Sequence, residues 1–459
     1  MKIECLVAEI GSTTTVVNAF GFTPVPRFIG RGIANTTVST DVREGLNKAI
    51  SQLEDSLGTP ITYDRLFATS SAAGGLRMTV SGLVYDMTVK AAQEAALNAG
   101  ANVHFVTSGD LEADDLETIK KAEPNIVLVS GGTDYGDKRT AYENIKKIEA
   151  LKLNVPIVYA GNKENGPRIE KHFKASDQKE FLIITENVYP RVDFMNIHPL
   201  RRVIYKTFEE NITKAKGMQY IRTQVNGSIM PTPGAVMEST MILSRHLGNV
   251  MVIDVGGATT DVHSISVPRE EYEDFMEGEP LEKRTVEGDL GVFVNAENVW
   301  SQLDKEVFKQ EHRIDESELQ SLKDNYTYMP ETPLQRAFVR ELSRICVFKA
   351  LDRHVGNLKN VYTSSGRKVI PDGRDLSRVQ YIILTGGALI NLDDTESMVR
   401  EYIRKRPNRM MPDHDVTILK DHDYVMAAGG VLSLEYLGQA TQILQQSLRL
   451  EGKDDVSET

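Results

Sequence analysis

The pattern of apolar and polar residues predicts short buried strands that end in glycine turns. The clearest example is Val250–Val255, an apolar and largely β-branched run that only Asp254 interrupts. This run predicts a buried strand with one carboxylate close to its carboxyl end. Gly256 and Gly257 follow, so the backbone can turn tightly and bring its N–H groups close to a ligand. Polar side chains complete the turn, namely Thr259, Thr260 and Asp261.

The start of the chain repeats this arrangement. Ile3–Ile10 predicts a strand with Glu9 close to its end, and a second apolar segment begins at Val16. An ordinary β-hairpin also uses glycines for positive φ, so one such turn alone is ambiguous. Each turn suits a phosphate and its metal ion, and this chain has two. The first turn consists of Gly11, Ser12, Thr13 and Thr14.

A third glycine turn occurs late in the chain. Val379–Thr385 predicts another strand, and Gly386 and Gly387 follow it before a helical stretch at Thr395–Arg406. In this order and spacing, the three pieces resemble the first phosphate, second phosphate and adenosine motifs of the actin, Hsp70 and sugar-kinase ATPase superfamily. The resemblance extends to two linking helices, predicted at Thr232–Leu247 and Val425–Leu437.

Two further regions interrupt this framework. From Ala101 onward, short strands alternate with helical segments, which predicts a small parallel sheet with right-handed crossovers. Such a sheet binds ligands at the carboxyl ends of its strands, so this region is either a second site or a recognition domain without a ligand. Residues 297–356 are rich in helix formers, so the region 268–378 is predicted to be a mainly helical insert.

The predicted fold class is α/β, with two actin-like ATPase halves of the ribonuclease H-like type. A small parallel α/β domain and a helical insert are added to them. The predicted divisions are the first half with its phosphate turn at 1–100, the inserted α/β domain at 101–190, a return to the first half at 191–231, the linking helix and second phosphate hairpin at 232–267, the helical insert at 268–378, the adenosine motif and closing helix at 379–445, and an acidic tail at 446–459.

Composition narrows the choice of partners. The 459 residues carry a formal charge of −12, with 65 acidic against 53 basic side chains, which argues against a nucleic-acid partner. No apolar run approaches the length of a membrane span and the first residues lack a signal-peptide core, so we expect a cytoplasmic protein without membrane contact. The two cysteines, Cys5 and Cys346, are too far apart in sequence to suggest a disulfide framework or a Cys-rich metal site.

The superfamily resemblance implies that ATP and Mg²⁺ are the cofactors, clamped by the two phosphate turns if these face each other. Glu9 and Asp254 would hold Mg²⁺ through waters, because Mg²⁺ keeps part of its hydration shell. Thr13 and Thr259 would donate to phosphate oxygens, and Asp254, Asp261 or another acid would orient the attacking water in a slow hydrolysis. The implied nucleotide-binding residues are Gly11, Ser12, Thr13, Thr14, Gly256, Gly257, Thr259, Thr260, Gly386 and Gly387.

Two positions depart from the superfamily pattern. Glu9 stands where members usually carry aspartate, and its longer side chain moves the metal contact. Val16 stands where many members carry lysine, which removes one phosphate contact. Both changes leave the two turns intact but argue against fast hydrolysis.

A narrower resemblance covers most of the chain. Its segments are similar to the accessory protein encoded beside adenosylcobalamin-dependent glutamate mutase, a family called MutL that is unrelated to mismatch repair. The resemblance implies an ATP-dependent reactivating factor, whose partner is a mutase that holds damaged cobalamin. The segments are Glu9–Thr15, Ser70–Arg77, Tyr159–Asn162, Asn187–Arg191, Thr232–Ala235 and Asp254–Val262.

Three other functions stay open at this point: a hydantoinase-like ATPase, a small-molecule kinase of the same superfamily, and a nucleotide-binding scaffold without turnover. An electron-passing activator is disfavoured, because it would need cysteines for a cluster. The cobalamin-binding pattern Asp-x-His-x-x-Gly does not occur, so we expect that this chain binds no cobalamin itself. His104, within a predicted strand, is expected to pack in the core.

Overall fold

The computed structural model describes residues 1–37, 40–71, 76–192, 194–212, 217–275, 281–294, 296–327, 330–363 and 366–450. The middle of the small-residue segment Ser70–Arg77 lies outside these ranges. The chain gathers into two compact units. The first comprises Met1–Val17, Arg31–Met237 and Met276–Lys283, and the second comprises Asn18–Gly30, Glu238–Phe275 and Arg284–Thr459.

The strands account for three five-stranded sheets and one hairpin. In chain order they are β1 Lys2–Ile10, β2 Thr14–Gly21, β3 Arg27–Asn35, β4 Thr62–Ser70, β5 Leu76–Gly82, β6 Ala101–Ser108, β7 Ile126–Val129, β8 Ile157–Tyr159, β9 Leu182–Ile184, β10 Ile229–Pro231, β11 Val250–Val255, β12 Thr260–Ile265, β13 Glu282–Glu287, β14 Asn357–Thr363, β15 Gly366–Asp372, β16 Tyr381–Thr385 and β17 Thr417–Lys420.

The α-helices lie between these strands and after the last one. In chain order they are α1 Val42–Leu57, α2 Lys90–Asn98, α3 Ala113–Lys121, α4 Thr140–Glu149, α5 Gly166–Phe173, α6 Ile197–Ile212, α7 Met218–Gln224, α8 Thr232–Leu247, α9 Ala296–Trp300, α10 Lys305–His312, α11 Glu316–Asn325, α12 Pro333–His354, α13 Gly387–Asn391, α14 Glu396–Lys405, α15 Met426–Leu432 and α16 Leu437–Ser447.

The first two sheets share one strand order. The first runs β3-β2-β1-β4-β10, and the second runs β13-β12-β11-β16-β17. In each, the last two strands lie parallel to the strand that ends in the acidic residue. β1 and β11 are central and buried on both faces, which explains why their sequences are nearly continuous apolar runs. This repeated order is that of two ribonuclease H-like halves, so the predicted fold class is confirmed.

The third sheet is wholly parallel, in the order β6-β5-β7-β8-β9. It includes β5, which begins at Leu76, so this sheet starts earlier in the chain than residue 101. His104 is exposed, contrary to expectation, because β6 is an edge strand and its pairing with β5 passes from Val103 to Phe105. A residue skipped in this way sits in a bulge, outside the ladder.

The region after β12 is helical only in part. α12 begins with a capping box, in which Thr332 and Gln335 bond each other's backbone N–H groups, and Pro333 follows as the first helical residue. Its apolar residues form one core with β11 and β12. Three described strands also occur in this region, since β13 completes the second sheet and β14 pairs with β15.

The end of the described chain is more ordered than the predicted acidic tail. α15 ends at Leu432, and a further helix, α16, extends to Ser447, whose side chain is buried. Among the described residues, no helix combines the length and apolar character that a membrane crossing requires.

Candidate functional site

The second phosphate turn has the geometry that its sequence predicts. Asp254 pairs with Asp261 across the β11–β12 hairpin, and Val255 pairs with Thr260. The Gly256 N–H donates to the carbonyl of Thr259 at 2.9 Å and closes the turn. Because β11 is otherwise buried, it fixes one half-buried carboxylate at its end, next to the turn.

The third glycine turn lies directly against this carboxylate. β16 is parallel to β11 and places Thr385 opposite Asp254. Gly386 has a φ of +90°, and a Cβ atom there would lie 2.4 Å from Asp254 Oδ1 and 2.5 Å from the Val255 nitrogen. Only glycine fits such a position. A Cβ on Gly387 would meet nothing within 4 Å, so the next residue of this turn borders open space.

A buried aspartate ties the third turn to the closing helix. The Thr385 hydroxyl donates to Asp421 Oδ2 at 2.9 Å, and the N–H groups of Val425 and Met426 donate to the same carboxylate at the start of α15. Ser447 on α16 donates to Oδ1 at 2.6 Å. The sequence analysis did not identify Asp421, because its partners are brought together only by the fold.

Asp261 is engaged in a buried ion pair. Arg284 donates to Asp261 Oδ1 from Nη2 at 2.5 Å and from Nε at 3.1 Å, and both side chains are almost fully buried. The Thr259 hydroxyl donates to the other carboxylate oxygen at 3.1 Å. Asp261 therefore holds the end of the turn in place, while the carboxylate of Asp254 is the more exposed of the two.

A segment that we call the strap, residues 288–294, lies against the second phosphate turn. The N–H groups of Phe293 and Val294 donate to the Gly257 carbonyl at 2.9 and 2.7 Å, and that of Val292 donates to Gly256 at 3.3 Å. A Cβ on Gly291 would lie 2.4 Å from the carbonyl carbon of Ala258. These contacts fix the carbonyl side of the turn.

The strap is anchored at its other end by α12. The Arg353 guanidinium donates to both oxygens of Asp289, at 2.6 and 2.8 Å, and also to Glu287. This guanidinium lowers the pKa of Asp289, whereas burial raises the pKa of Glu287 in spite of the same partner. The predicted ligand residue Thr260 is buried, and its hydroxyl donates to the Leu290 carbonyl at 2.8 Å.

The first phosphate turn repeats the backbone geometry of the second. The Gly11 N–H donates to the carbonyl of Thr14 at 2.9 Å, the same hydrogen bond as in the second turn. Glu9 is 8% exposed and pairs with Thr69 at the end of β4. The Thr36 N–H donates to the Thr13 carbonyl at 2.9 Å and fixes the far side of the turn. All four residues of this turn, Gly11, Ser12, Thr13 and Thr14, are half-buried.

The residues at both turns fit phosphate groups and a hydrated metal ion. Close backbone, hydroxyl groups and one strand-end carboxylate occur in each half, and the glycines leave the turns without side-chain bulk. Over the described ranges, no three His, Cys, Asp or Glu side chains converge as a metal-binding group. Cys5 and Cys346 are both buried, and burial raises the pKa of the Cys346 thiol to about 12.

Two ribonuclease H-like sheets, each with an acid-tipped strand and a glycine turn, define a protein with the actin-like fold. The family model described as MutL protein matches residues 5–448, and the chain belongs to this family, which is distinct from mismatch-repair MutL. Protein MutL of Clostridium tetanomorphum is 33% identical over 433 residues, which cover 90% of this chain and 92% of that protein.

Two solved structures overlap most of the chain at low identity. The nucleotide-free diol dehydratase-reactivating factor is 10% identical with a TM-score of 0.34, covering 94% of this chain and 99% of that one. Component A of the Acidaminococcus fermentans (R)-2-hydroxyglutaryl-CoA dehydratase is also 10% identical, with a TM-score of 0.29 and coverage of 97% and 99%.

Proposed function

We propose that this chain is an ATP-binding reactivating factor, which releases damaged cobalamin from an adenosylcobalamin-dependent mutase such as glutamate mutase. One observation carries the nucleotide part of this proposal. The same turn, closed by a glycine N–H, follows an acid-tipped strand in both sheets, and in the second it lies against Gly386. Membership of the MutL protein family and the narrower sequence resemblance support the choice of partner.

Within this proposal, Asp254 and Glu9 would hold Mg²⁺ through waters, since Mg²⁺ prefers oxygen ligands and retains part of its hydration shell. The turns at Gly11–Thr14 and Gly256–Thr259 would each bind phosphate, and Gly386 with Gly387 would receive the adenosine part of ATP. When bound, ATP supplies phosphate charge and binding free energy. Thr259 would have to turn its hydroxyl away from Asp261 in order to donate to phosphate.

We assign the two aspartates of the hairpin different roles. Asp254 is the acid that would orient an attacking water, because Asp254 is half-buried and its carboxylate lies against the third glycine turn. Asp261, which was the second candidate for that role, is paired with Arg284 and acts instead as a positioning residue. Hydrolysis would be slow, since positioning and charge neutralisation are then the main contributions.

Nucleotide binding can drive release only if it changes the conformational equilibrium of the mutase. A ligand shifts such an equilibrium by its difference in affinity for the two states. The strap supplies a physical link inside the second unit, because it bonds to the phosphate turn and is held by Arg353 on α12. A change at the turn would therefore reach the helices.

The nucleotide part is tested by calorimetry of ATP·Mg²⁺ and ADP on the wild type, Asp254→Ala and Asp254→Asn. We expect micromolar binding by the wild type and a loss of at least about tenfold in both variants, since each removes the carboxylate charge. Asp324→Ala, which removes an exposed aspartate on α11, is the matched control and should bind normally. Absence of wild-type binding would mean that the nucleotide site is wrongly assigned and that the glycine turns are structural.

The partner is tested on glutamate mutase loaded with cyanocobalamin. This chain, ATP and Mg²⁺ should release the inactive cobalamin, which passes a protein-retaining filter and is measured by its absorbance. Added adenosylcobalamin should then restore mutase activity. Asp254→Ala should release none. If nucleotide binds but no cobalamin is released, the ATPase assignment stands and the mutase is the wrong partner.

A further inference from the structure

The hairpin of β14 and β15, which we call the arm, is exposed on both faces in its described outer part, whereas Pro371 at its base is buried. Its strands pair along their whole length, from Asn357 with Asp372 to Thr363 with Gly366, and form a sheet separate from the other three. The side chains of 359–361 and 366–369 are exposed. A two-stranded hairpin without a packed face is only marginally stable in water. The arm therefore has the structure of a segment that another surface covers.

The exposed surface of the arm is both apolar and basic. Val361 and Val369 are 37% and 47% exposed, and Lys368 lies opposite Val361. The arm has three basic side chains, Lys359, Arg367 and Lys368, and one acidic side chain, Asp372. It is therefore basic, although the whole chain carries a net charge of −12. Lys359 bonds Asp372 at 2.6 Å. Such a surface complements one that is acidic and carries apolar side chains.

A surface of this kind occurs on the same unit at 270–275, which we call the acidic segment. Its single 3₁₀ turn exposes Glu270, Glu271, Glu273 and Asp274, and Phe275 is 51% exposed. The Arg269 guanidinium lies 4.0 Å from the carboxylate of Glu271. Both segments are thus amphipathic, and their charges are opposite.

The base of the arm is held close to the acidic segment. The Arg269 N–H donates to Asp375 Oδ2 at 2.9 Å, and Asp375 lies just beyond the end of β15. Arg378 donates to the Pro268 carbonyl at 3.3 Å, and these two arginines with two glutamates line a cleft of about 440 Å³. Among the ion pairs of the described residues, none joins the arm to the acidic segment.

We propose that the arm docks on the acidic segment of a second copy of this chain, in a two-fold symmetric dimer. The two complementary surfaces belong to the same chain. In a two-fold symmetric dimer, the arm of each copy therefore meets the acidic segment of the other, which is the self-complementary arrangement of most protein dimers. Each copy then covers the other's arm and supplies the opposite charge. This inference stands independently of the nucleotide and of the mutase.

Charge reversal provides the test. One variant reverses the arm, Lys359→Glu with Arg367→Glu and Lys368→Glu, and another reverses the acidic segment, Glu270→Lys with Glu271→Lys and Glu273→Lys. Sedimentation should show that the wild type is a dimer and that each variant is a monomer. The affinity of the wild-type dimer should fall by about tenfold or more between 50 and 500 mM NaCl. An equal mixture of the two variants should form a heterodimer, because every arm then meets a segment of opposite charge.

The control is Lys120→Glu with Lys121→Glu and Lys174→Glu, which makes the same change in net charge on exposed lysines of the inserted domain and should leave the dimer intact. Circular dichroism verifies that each variant is folded. A monomeric wild type at tens of micromolar overturns the proposal. So does a dimer that survives reversal of the arm, or a mixture that stays monomeric while both variants are folded.

Discussion

At the scale of single residues, Gly386 shows how one absent side-chain atom can shape a binding site. Its Cβ would overlap the carboxylate of Asp254 and the backbone of Val255. We expect Gly386→Ala to lower the free energy of unfolding by about 2 to 4 kcal/mol, because the new methyl group meets backbone and φ is positive. Urea unfolding measures this loss.

Gly387→Ala is the matched control for stability. An added Cβ there meets nothing within 4 Å, and the residue begins a helix, so the free energy of unfolding should change by no more than about 0.5 kcal/mol. Equal losses in the two variants would mean that the close contact between Gly386 and Asp254 is not a constraint on folding.

His263 on β12 predicts a pH dependence of stability. It is fully buried, its ring nitrogens have no hydrogen-bond partner among the described residues, and burial together with Arg284 lowers its pKa well below 6.5. Below pH 6.5 the unfolded chain gains a proton that the folded chain does not. Stability should therefore fall by about 1.4 kcal/mol per pH unit as the pH decreases below 6.5.

His263→Phe isolates this contribution, because it keeps a buried ring and removes the titrating group. Urea unfolding of both proteins at pH 7.0, 6.0 and 5.5 gives the comparison. The difference in stability between wild type and variant should shrink or change sign towards low pH. A difference independent of pH would show that His263 gains its proton equally well in the folded state.

Residue identities at the turns could be predicted because their chemistry is local. Asp254, Gly256 and Gly386 each follow from a strand, a turn and the positions between them. Arg284 and Asp421 could not be predicted in this way, since each becomes a partner only when strands or helices distant in sequence come together. Likewise, the sequence proposed Asp261 as a catalytic acid without revealing its ion pair.

At the scale of elements, the strap connects the second phosphate turn with the helices that follow it. Gly291 has no room for a Cβ against Ala258, and α9 begins shortly after the strap. We expect Gly291→Ala to weaken ATP binding by about tenfold, because the strap must move away from the turn. Trp300, the single tryptophan, ends α9 and is 5% exposed, so its emission can report on this movement.

The measurement is a titration of ATP·Mg²⁺ followed by tryptophan fluorescence. The wild type should show a saturable change that Gly291→Ala weakens or loses. Gly438→Ala provides the control, because a Cβ on this helical glycine meets nothing within 4 Å. If Gly291→Ala retains both full affinity and the full change in emission, the strap does not carry the signal.

Elements with strong periodicity were predicted well. α8 begins and ends at the residues predicted for the first linking helix, Thr232 and Leu247. The arm was missed, because its exposed strands lack the alternation of a half-buried sheet. The sequence predicts a closing region up to residue 445 and a tail from 446, whereas α16 extends across this boundary with buried Ile443 and Leu444 on its packed face.

At the scale of the whole molecule, the two halves follow from the order of their motifs, and the repeated sheet order confirms them. The start of the inserted sheet was harder to place. β5 carries the same kind of short apolar run whether it belongs to the first half or to the insert, so periodicity alone does not assign it to a sheet. Pairing with β6 and β7 decides the assignment.

The position of the inserted sheet also orders events during synthesis. All strands of the inserted sheet come from one continuous stretch, 76–184. In the first sheet, by contrast, β4 pairs with β10, which comes much later in the chain and places Ile229 opposite Ala68. Because a chain emerges from the ribosome amino-terminal end first, all strands of the inserted sheet are synthesised before β10, the fifth strand of the first sheet. The insert would then fold first and serve as a preformed body around which the first half closes.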